Sequence, residues 1–320
     1  MAGTQRLSRG VVLISILLIV AVLSAVVYQM AGRHSLAVAQ SQNALGYDQA
    51  IAYALGAETF ARQALYQDFT ESGPGIDTLQ ELWAQPLAPF EIDDAGFIEI
   101  QARDLNGCFN LNALNDTQNV QNLARFKTLL NNLSLPDTIA DAWRDWVDSD
   151  ELISGFGAED SEYLLRANAH RTPNRLAGHV SELRLLYGME REYLPVLMEH
   201  VCVLPTNTLS VNVNTATSHV LAAMNPKLSE GALQAFTQSP REYQNVNEAT
   251  TEFPEFASAV DVLTVTSEYF EIQVYAQVGD SVAVLTSLLH RNPADGAITL
   301  IHRDMGKDFR SRFGVEVEEA

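Results

Sequence analysis

The apolar positions of this chain begin as one unbroken run and only later settle into repeating patterns. Val11 to Ala31 is twenty-one residues without a charge, and as a helix it spans about 30 Å, enough to cross a bilayer core. From Gln40 to Phe69 small and apolar residues recur at steps of three and four among Ala44, Ala50, Ala52, Ala54, Leu55, Ala57, Phe60, Ala61, Ala64 and Leu65, with Asp48, Glu58 and Arg62 between them. That is the pattern of a helix with one packed face. No proline occurs from Met1 to Gly73, and Ser72-Gly73-Pro74-Gly75 stops the helix. The pattern predicts one long helix, membrane-embedded in its first half and laid on a globular body in its second.

The period then changes to two. Phe97-Ile98-Glu99-Ile100-Gln101-Ala102 alternates, Asp104 to Gly107 turns, and Cys108 to Asn112 reads as a continuing strand. From Ala113 to Val203 the spacing is helical, with Leu123, Phe126, Leu129, Leu130, Trp143 and Trp146 as its apolar positions, and a second helical stretch runs from Thr215 to Phe256. Strand character returns at Val262–Thr266 and Phe270–Val278, with a turn at Gly279-Asp280 and a return strand over Val282–Leu289. Ile298–Ile301 hints at one more edge strand. Strands, a helical block and closing strands imply a sheet interrupted by an inserted domain. Phe109-Asn110-Leu111-Asn112 and Val211-Asn212-Val213-Asn214 echo each other, and each leads into helices that an asparagine can cap.

Charge narrows the function. A formal net charge of −20 repels phosphate backbones and argues against nucleic acid. The second helical stretch has the outline of a helix-hairpin-helix module, but Lys227 and Arg241 are offset by Glu230 and Glu242. Arg6 and Arg9 precede the apolar run, so the positive-inside rule leaves residues 1–10 in the cytoplasm. The competing reading is a secretory signal cut after Ala37-Val38-Ala39, although the run exceeds an ordinary signal core. Cys108 and Cys202 are the two cysteines; in an exported chain they suggest one disulfide, with two free buried thiols as the alternative. H-E-x-x-H, P-loop and G-x-S-x-G patterns do not occur, which disfavours an enzyme.

Acidic residues crowd one segment. Asp141, Asp145, Asp148, Asp150, Glu151, Glu159, Asp160 and Glu162 stand with Arg144 as the one base among them. Asp148, Asp150 and Glu159 fall at positions one, three and twelve of an EF-hand-like spacing, but Leu152 and Ile153 occupy positions where that loop has a ligand and a glycine. A calcium loop of different design is expected, its ligands Asp148, Asp150, Glu159 and Asp160, with Glu151, Asp145 and the Ser154 backbone in reserve. The plainer reading is a solvated acidic loop capping its neighbours.

Six segments in order carry a family likeness: the basic leader with Gly10-Val11, Ala54-Leu55-Gly56-Ala57-Glu58, Cys108–Asn112, Asp145-Trp146-Val147-Asp148-Ser149-Asp150, Gly157–Tyr163 and Val211–Ala216. Together they resemble the K-type minor pseudopilin of the type II secretion system. The resemblance implies an α+β, pilin-like fold, a long N-terminal helix on an antiparallel sheet, with a large inserted α-helical SAM-like domain. The divisions it implies are a leader (1–10), a transmembrane helix (11–31), its periplasmic continuation (32–69), first strands (70–112), helical subdomains (113–204 and 205–257), closing strands (258–303) and a charged tail (304–320). It also implies cleavage by the prepilin peptidase between Gly10 and Val11, methylation of the new N-terminus, and calcium in the helical domain. Implied partners are the I- and J-type minor pseudopilins, the inner-membrane secretion platform and exported cargo; the place is the inner membrane, with the body periplasmic.

Most pilins carry a glutamate five residues after the cut, where it neutralises a neighbour's N-terminal ammonium. Here that position is Ser15. A subunit without the acid cannot dock beneath another in that way, but it can begin a filament, so the resemblance implies a place at the tip. The alternative class is a membrane-anchored or secreted periplasmic protein that binds exported cargo as a monomer.

Overall fold

The computed structural model describes residues 5–73, 75–92, 96–225, 228, 230–238, 240–306 and 309, with side chains from residue 11 onward apart from a few positions. Helix α1 is continuous from Gln5 to Ser72, about 100 Å at the standard rise. Within it an 18-residue window reaches a mean hydropathy of 3.0 and is wholly unburied by the rest of the chain, as a membrane anchor requires.

The sheet is built from Phe90–Ile92 (β1) and Gly96–Asp104 (β2) before the insertion, and from later strands after it. Inside the insertion, Phe109–Asn110 (β3) pairs in parallel with Val201–Cys202 (β4), and Val211–Asn212 (β5) with Leu263–Thr264 (β6). Tyr269–Val278 (β7), Ser281–Arg291 (β8) and Ile298–Met305 (β9) then complete an antiparallel sheet of order β1-β2-β7-β8-β9. The α+β pilin-type architecture is therefore present. Strand β9 runs two residues past 303, so the closing sheet takes residues first assigned to the tail.

Helix α1 packs on one face of this sheet. Ala50, Ala54, Ala57, Ala61 and Leu65 meet Ile100, Phe270, Ile272, Val274, Leu285 and Leu289. Alanine at the contact lets the helix approach closely, and the alternate positions of each strand supply the other half of the core. Glu58 is buried in this interface, where Arg303 Nε and Ser287 Oγ donate to its Oε2 at 2.7 and 2.9 Å. Burial alone would raise its pKa; those hydrogen bonds hold it below the usual value.

The insertion leaves from one end of the sheet. The β7–β8 turn lies beside the middle of α1, with Ser281 Oγ donating to the Asn43 carbonyl at 3.4 Å, whereas Arg291 at the other end of β8 pairs with Asp68. Asp104, opposite Phe270, and Tyr269 both stand at this second end. The chain between them therefore caps the end of the body farthest from the apolar half of α1.

The insertion is less helical than its spacing predicts. It holds Val120–Asn132 (α2), Thr138–Val147 (α3), Asp160–Tyr163 (α4), Tyr193–Met198 (α5), Ser218–Met224 (α6), Glu230–Gln238 (α7) and Val246–Glu252 (α8), with long irregular stretches at 148–159 and 164–179. The expected strand over Cys108–Asn112 is also cut short. Asn110 Oδ1 accepts from Asn112 N at 3.2 Å and turns the chain into a 3-10 helix over Leu111–Leu114.

The echoed asparagines do one job twice. Asn112 Nδ2 donates to the Ala177 and Leu204 carbonyls at 3.0 and 2.7 Å, and its Oδ1 accepts from Ala177 N. Asn214 likewise bonds both the carbonyl and the amide of Tyr243. Each buried amide closes its own subdomain onto a distant loop, satisfying backbone groups that no ladder reaches. The two roots of the first subdomain are tied by the disulfide between Cys108 and Cys202, with Cα atoms 5.9 Å apart.

Candidate functional site

The acidic segment folds into a loop between α3 and α4. Trp143, Trp146 and Val147 anchor α3 in the core, so the helix fixes Asp141 and Asp145 behind the loop and delivers Asp148 at its C-terminal end. Carboxylate oxygens of Asp148, Asp150 and Glu159 come within 4.8 Å of one another. Asp148 and Glu159 are 2% and 3% exposed, and Asp148 Oδ1 and Glu159 Oε1 have no hydrogen-bond partner. Leaving two buried carboxylate oxygens orphaned is costly, and a cation is what such an arrangement accepts. Hard oxygen donors, with no thiol or imidazole among them, suit calcium rather than zinc.

Electrostatics agree with the geometry. Burial first, then repulsion from Asp145, Asp148 and Asp150, pushes Glu159 up to about 7 despite a hydrogen bond from Thr172. Asp145 is pushed up to about 6 and Asp148 is raised, again with burial as the leading cause.

Not every expected ligand joins this group. Asp160 stands outside it: Arg171 takes one of its oxygens, and Thr172 N donates to the other at 3.0 Å. Glu151 is exposed and also lies outside the cluster. Asp145 is a buttress, accepting from Ser154 N at 3.1 Å, and Asp141 accepts from Phe156 N at 3.3 Å while pairing with Lys127. These carboxylates explain two glycines. A Cβ on Gly157 would stand 1.9 Å from Asp145 Oδ2, and Gly155 has a positive φ of 58° with Asp141 Oδ2 2.6 Å from its Cβ site. Counting ligand positions from Asp148 leaves Asp141 without a part and Asp145 only a reserve ligand; the available signal is their fourfold step on α3, which puts both on the helix face behind the glycines.

The remaining sites are distributed along α1 and the second subdomain. Gly10 and Val11 lie inside α1, and Ser15 Oγ donates to the Val11 carbonyl at 2.9 Å, satisfying its hydroxyl within the helix. An apolar groove of about 270 Å³ flanks the sheet-packed half of α1, walled by Tyr53, Gly56, Phe60, Phe90 and Ile98. Arg241, weighed as a phosphate-binding base, donates instead to the Val213 and Ala216 carbonyls at 2.7 Å each. Lys227 lies outside the described residues.

A membrane helix continued into a sheet-packed helix, with a domain inserted at the far end of the sheet, defines a pilin-class subunit. Comparison with known proteins gives the family. The sequence model for type II secretion system protein K matches residues 107–206. The chain is 36% identical over 319 residues to type II secretion system protein K of Pseudomonas aeruginosa, covering 95% of this chain and 94% of that one. It is 34% identical to the protein of that name from Pectobacterium carotovorum, covering 88% and 92%. A chain from the crystal structure of the GspK-GspI-GspJ complex of enterotoxigenic Escherichia coli superposes with a TM-score of 0.75 at 24% identity, covering 84% of this chain and all of that one. The chain belongs to the type II secretion system protein K family and is a minor pseudopilin of that system.

Proposed function

We propose that this chain forms the tip of a periplasmic pseudopilus and initiates its assembly for export of folded proteins across the outer membrane. The observation that carries this reading is the position of the insertion. A domain of some 160 residues, from Leu105 to Glu268, caps the membrane-distal end of the pilin body, where a further subunit would stack. Ser15 supports it, since the apolar stretch from Val11 to Ala31 then holds no acid to neutralise another subunit's N-terminus.

In this reading the prepilin peptidase removes residues 1–10, Val11 becomes the methylated N-terminus, and the helix stays in the inner membrane with the body periplasmic. The I- and J-type minor pseudopilins, which share a solved complex with the Escherichia coli relative, dock along α1, where the groove at Tyr53 and Phe60 accepts an apolar helix. The inner-membrane platform engages the base of the assembly. Calcium is held by Asp148, Asp150 and Glu159; when bound it supplies positive charge to the two orphaned oxygens and ties the two ends of the loop. The loop otherwise has little core of its own.

The test is end-labelling. Antibody fragments against the insertion should decorate isolated pseudopili once, at one end. Decoration along the length would sink the tip assignment.

A further inference from the structure

The cation loop carries a feature that holding a cation does not require. Leu152, Ile153 and Phe156, midway between its acidic ends, are 73%, 49% and 76% exposed. A loop that only needed solvation would be polar there, and clustered exposed apolar side chains mark interaction sites. Nor are they loosely held. Leu152 N donates to Asp150 Oδ1 at 2.8 Å, Phe156 N donates to Asp141 Oδ2, and the left-handed Gly155 makes the bend between them. The two ends of the loop are Asp148 and Glu159, so the same carboxylates that would share a cation set the shape of the apolar tip. Leu165, just past α4, is exposed as well.

We propose that Leu152, Ile153 and Phe156 form a calcium-gated docking surface for a folded protein being exported, one that presents an apolar patch with a basic rim. This rests on the tip reading above. The insertion caps the body's end away from the membrane helix, so its loops face what lies ahead of the filament. Exposed Asp150 and Glu151 immediately precede the apolar residues, and the chain carries a net charge of −20. That charge opposes an anionic bilayer and selects a partner with cationic groups around an apolar centre. Calcium between Asp148 and Glu159 at the base fixes the tip, while exposed Glu151 outside the cluster keeps its charge for the partner, so docking follows calcium.

The experiment is site-specific photo-cross-linking of the full-length chain in secreting cells, with p-benzoylphenylalanine at Phe156 and, separately, at Tyr53. The expected result at Phe156 is an adduct with an exported protein, identified by mass spectrometry, that falls at least tenfold with EGTA or with Glu159→Gln. The paired variant Ile153→Ser/Phe156→Ser should bind calcium as the parent does, measured by titration calorimetry in detergent, yet lower export at least tenfold. Several results would overturn the proposal: no adduct at Phe156, an adduct indifferent to EGTA, or an adduct with another filament subunit, the outer-membrane channel or lipid. So would normal export by the paired variant. The Tyr53 probe separates the two readings: if it still captures minor pseudopilins, the docking surface falls alone, and if it does not, the tip assignment falls with it.

Discussion

Arg291 Nη2 lies 2.5 Å from both carboxylate oxygens of Asp77, and both side chains are buried. The same nitrogen donates to the Ser267 carbonyl, and the guanidinium stacks over Phe270 at 4.8 Å. Asp77 in turn accepts from Ser267 N at 2.7 Å, and Ser267 Oγ donates to Asp104 Oδ2 at 2.6 Å. Asn212 Nδ2 reaches the Asp77 carbonyl and Ser267 Oγ. One connected polar network thus joins the linker after α1, the end of β2, the second subdomain and the end of β8. It is the joint that sets how the insertion sits on the pilin body.

Removing the cation from that joint should be severe. Arg291→Met strands Asp77 as a buried unpaired charge, a change that costs about 3–5 kcal/mol. Urea unfolding should show that loss, and hydrogen exchange should speed up first at the amides of Asp77 and Ser267. Arg291→Met with Asp77→Asn should recover part of it; no recovery would mean the pair is not the joint's core.

The joint also predicts a pH dependence. Burial pushes Asp68 and Asp104 up to about 6 and Glu81 up to about 7. Acids with raised pKa bind protons more readily folded than unfolded. Their contribution is full below the ordinary carboxylate values and is lost as pH rises through 6 to 7. With EGTA present, the thermal midpoint should fall between about pH 5 and about pH 7.5, and Asp104→Asn should flatten part of that slope. A midpoint rising over this interval would contradict the assignment.

Calcium should stabilise the native chain by mass action, about 2.7 kcal/mol at a hundredfold excess over Kd. Glu159→Gln and Asp148→Asn should abolish the calcium-induced rise in thermal midpoint, whereas Asp160→Asn and Glu151→Gln should leave most of it. Loss in all four variants alike would point to diffuse acidic screening rather than a site.

Reducing the Cys108–Cys202 bond, or replacing both residues by alanine, opens a 94-residue separation at the root of the insertion. The expected cost is about 2–5 kcal/mol, read as a shift in urea midpoint with the pilin sheet's circular dichroism retained at low denaturant.

N-terminal sequencing from cells with and without the prepilin peptidase should give Val11 in the first and the uncut leader in the second. A start at Gln40 in both would indicate an ordinary secretory signal. Within the mature chain, Ser15→Glu should impair assembly, because at a tip no subunit above supplies the ammonium that such a buried acid needs.

What the sequence determined by itself was whatever depends on neighbours along the chain. The uncharged run from Val11 to Ala31 needs only length and composition to be a membrane helix. The alanine steps from Ala50 to Ala61 and the alternation at Phe97–Ala102 announce their faces by period, and Asn110 and Asn212 announce a repeated turn. Tertiary structure decided which polar groups meet. Asp160 is adjacent to Glu159 in sequence, but the chain returning through Arg171 and Thr172 takes its carboxylate away from the acidic cluster. No spacing rule pairs Asp77 with Arg291, which are separated by the whole insertion. Local pattern encodes hydrophobic burial because burial is non-directional and tolerates any partner. Charge pairing and cation coordination are short-range and directional, so they exist only once distant segments have been brought to within a few ångströms.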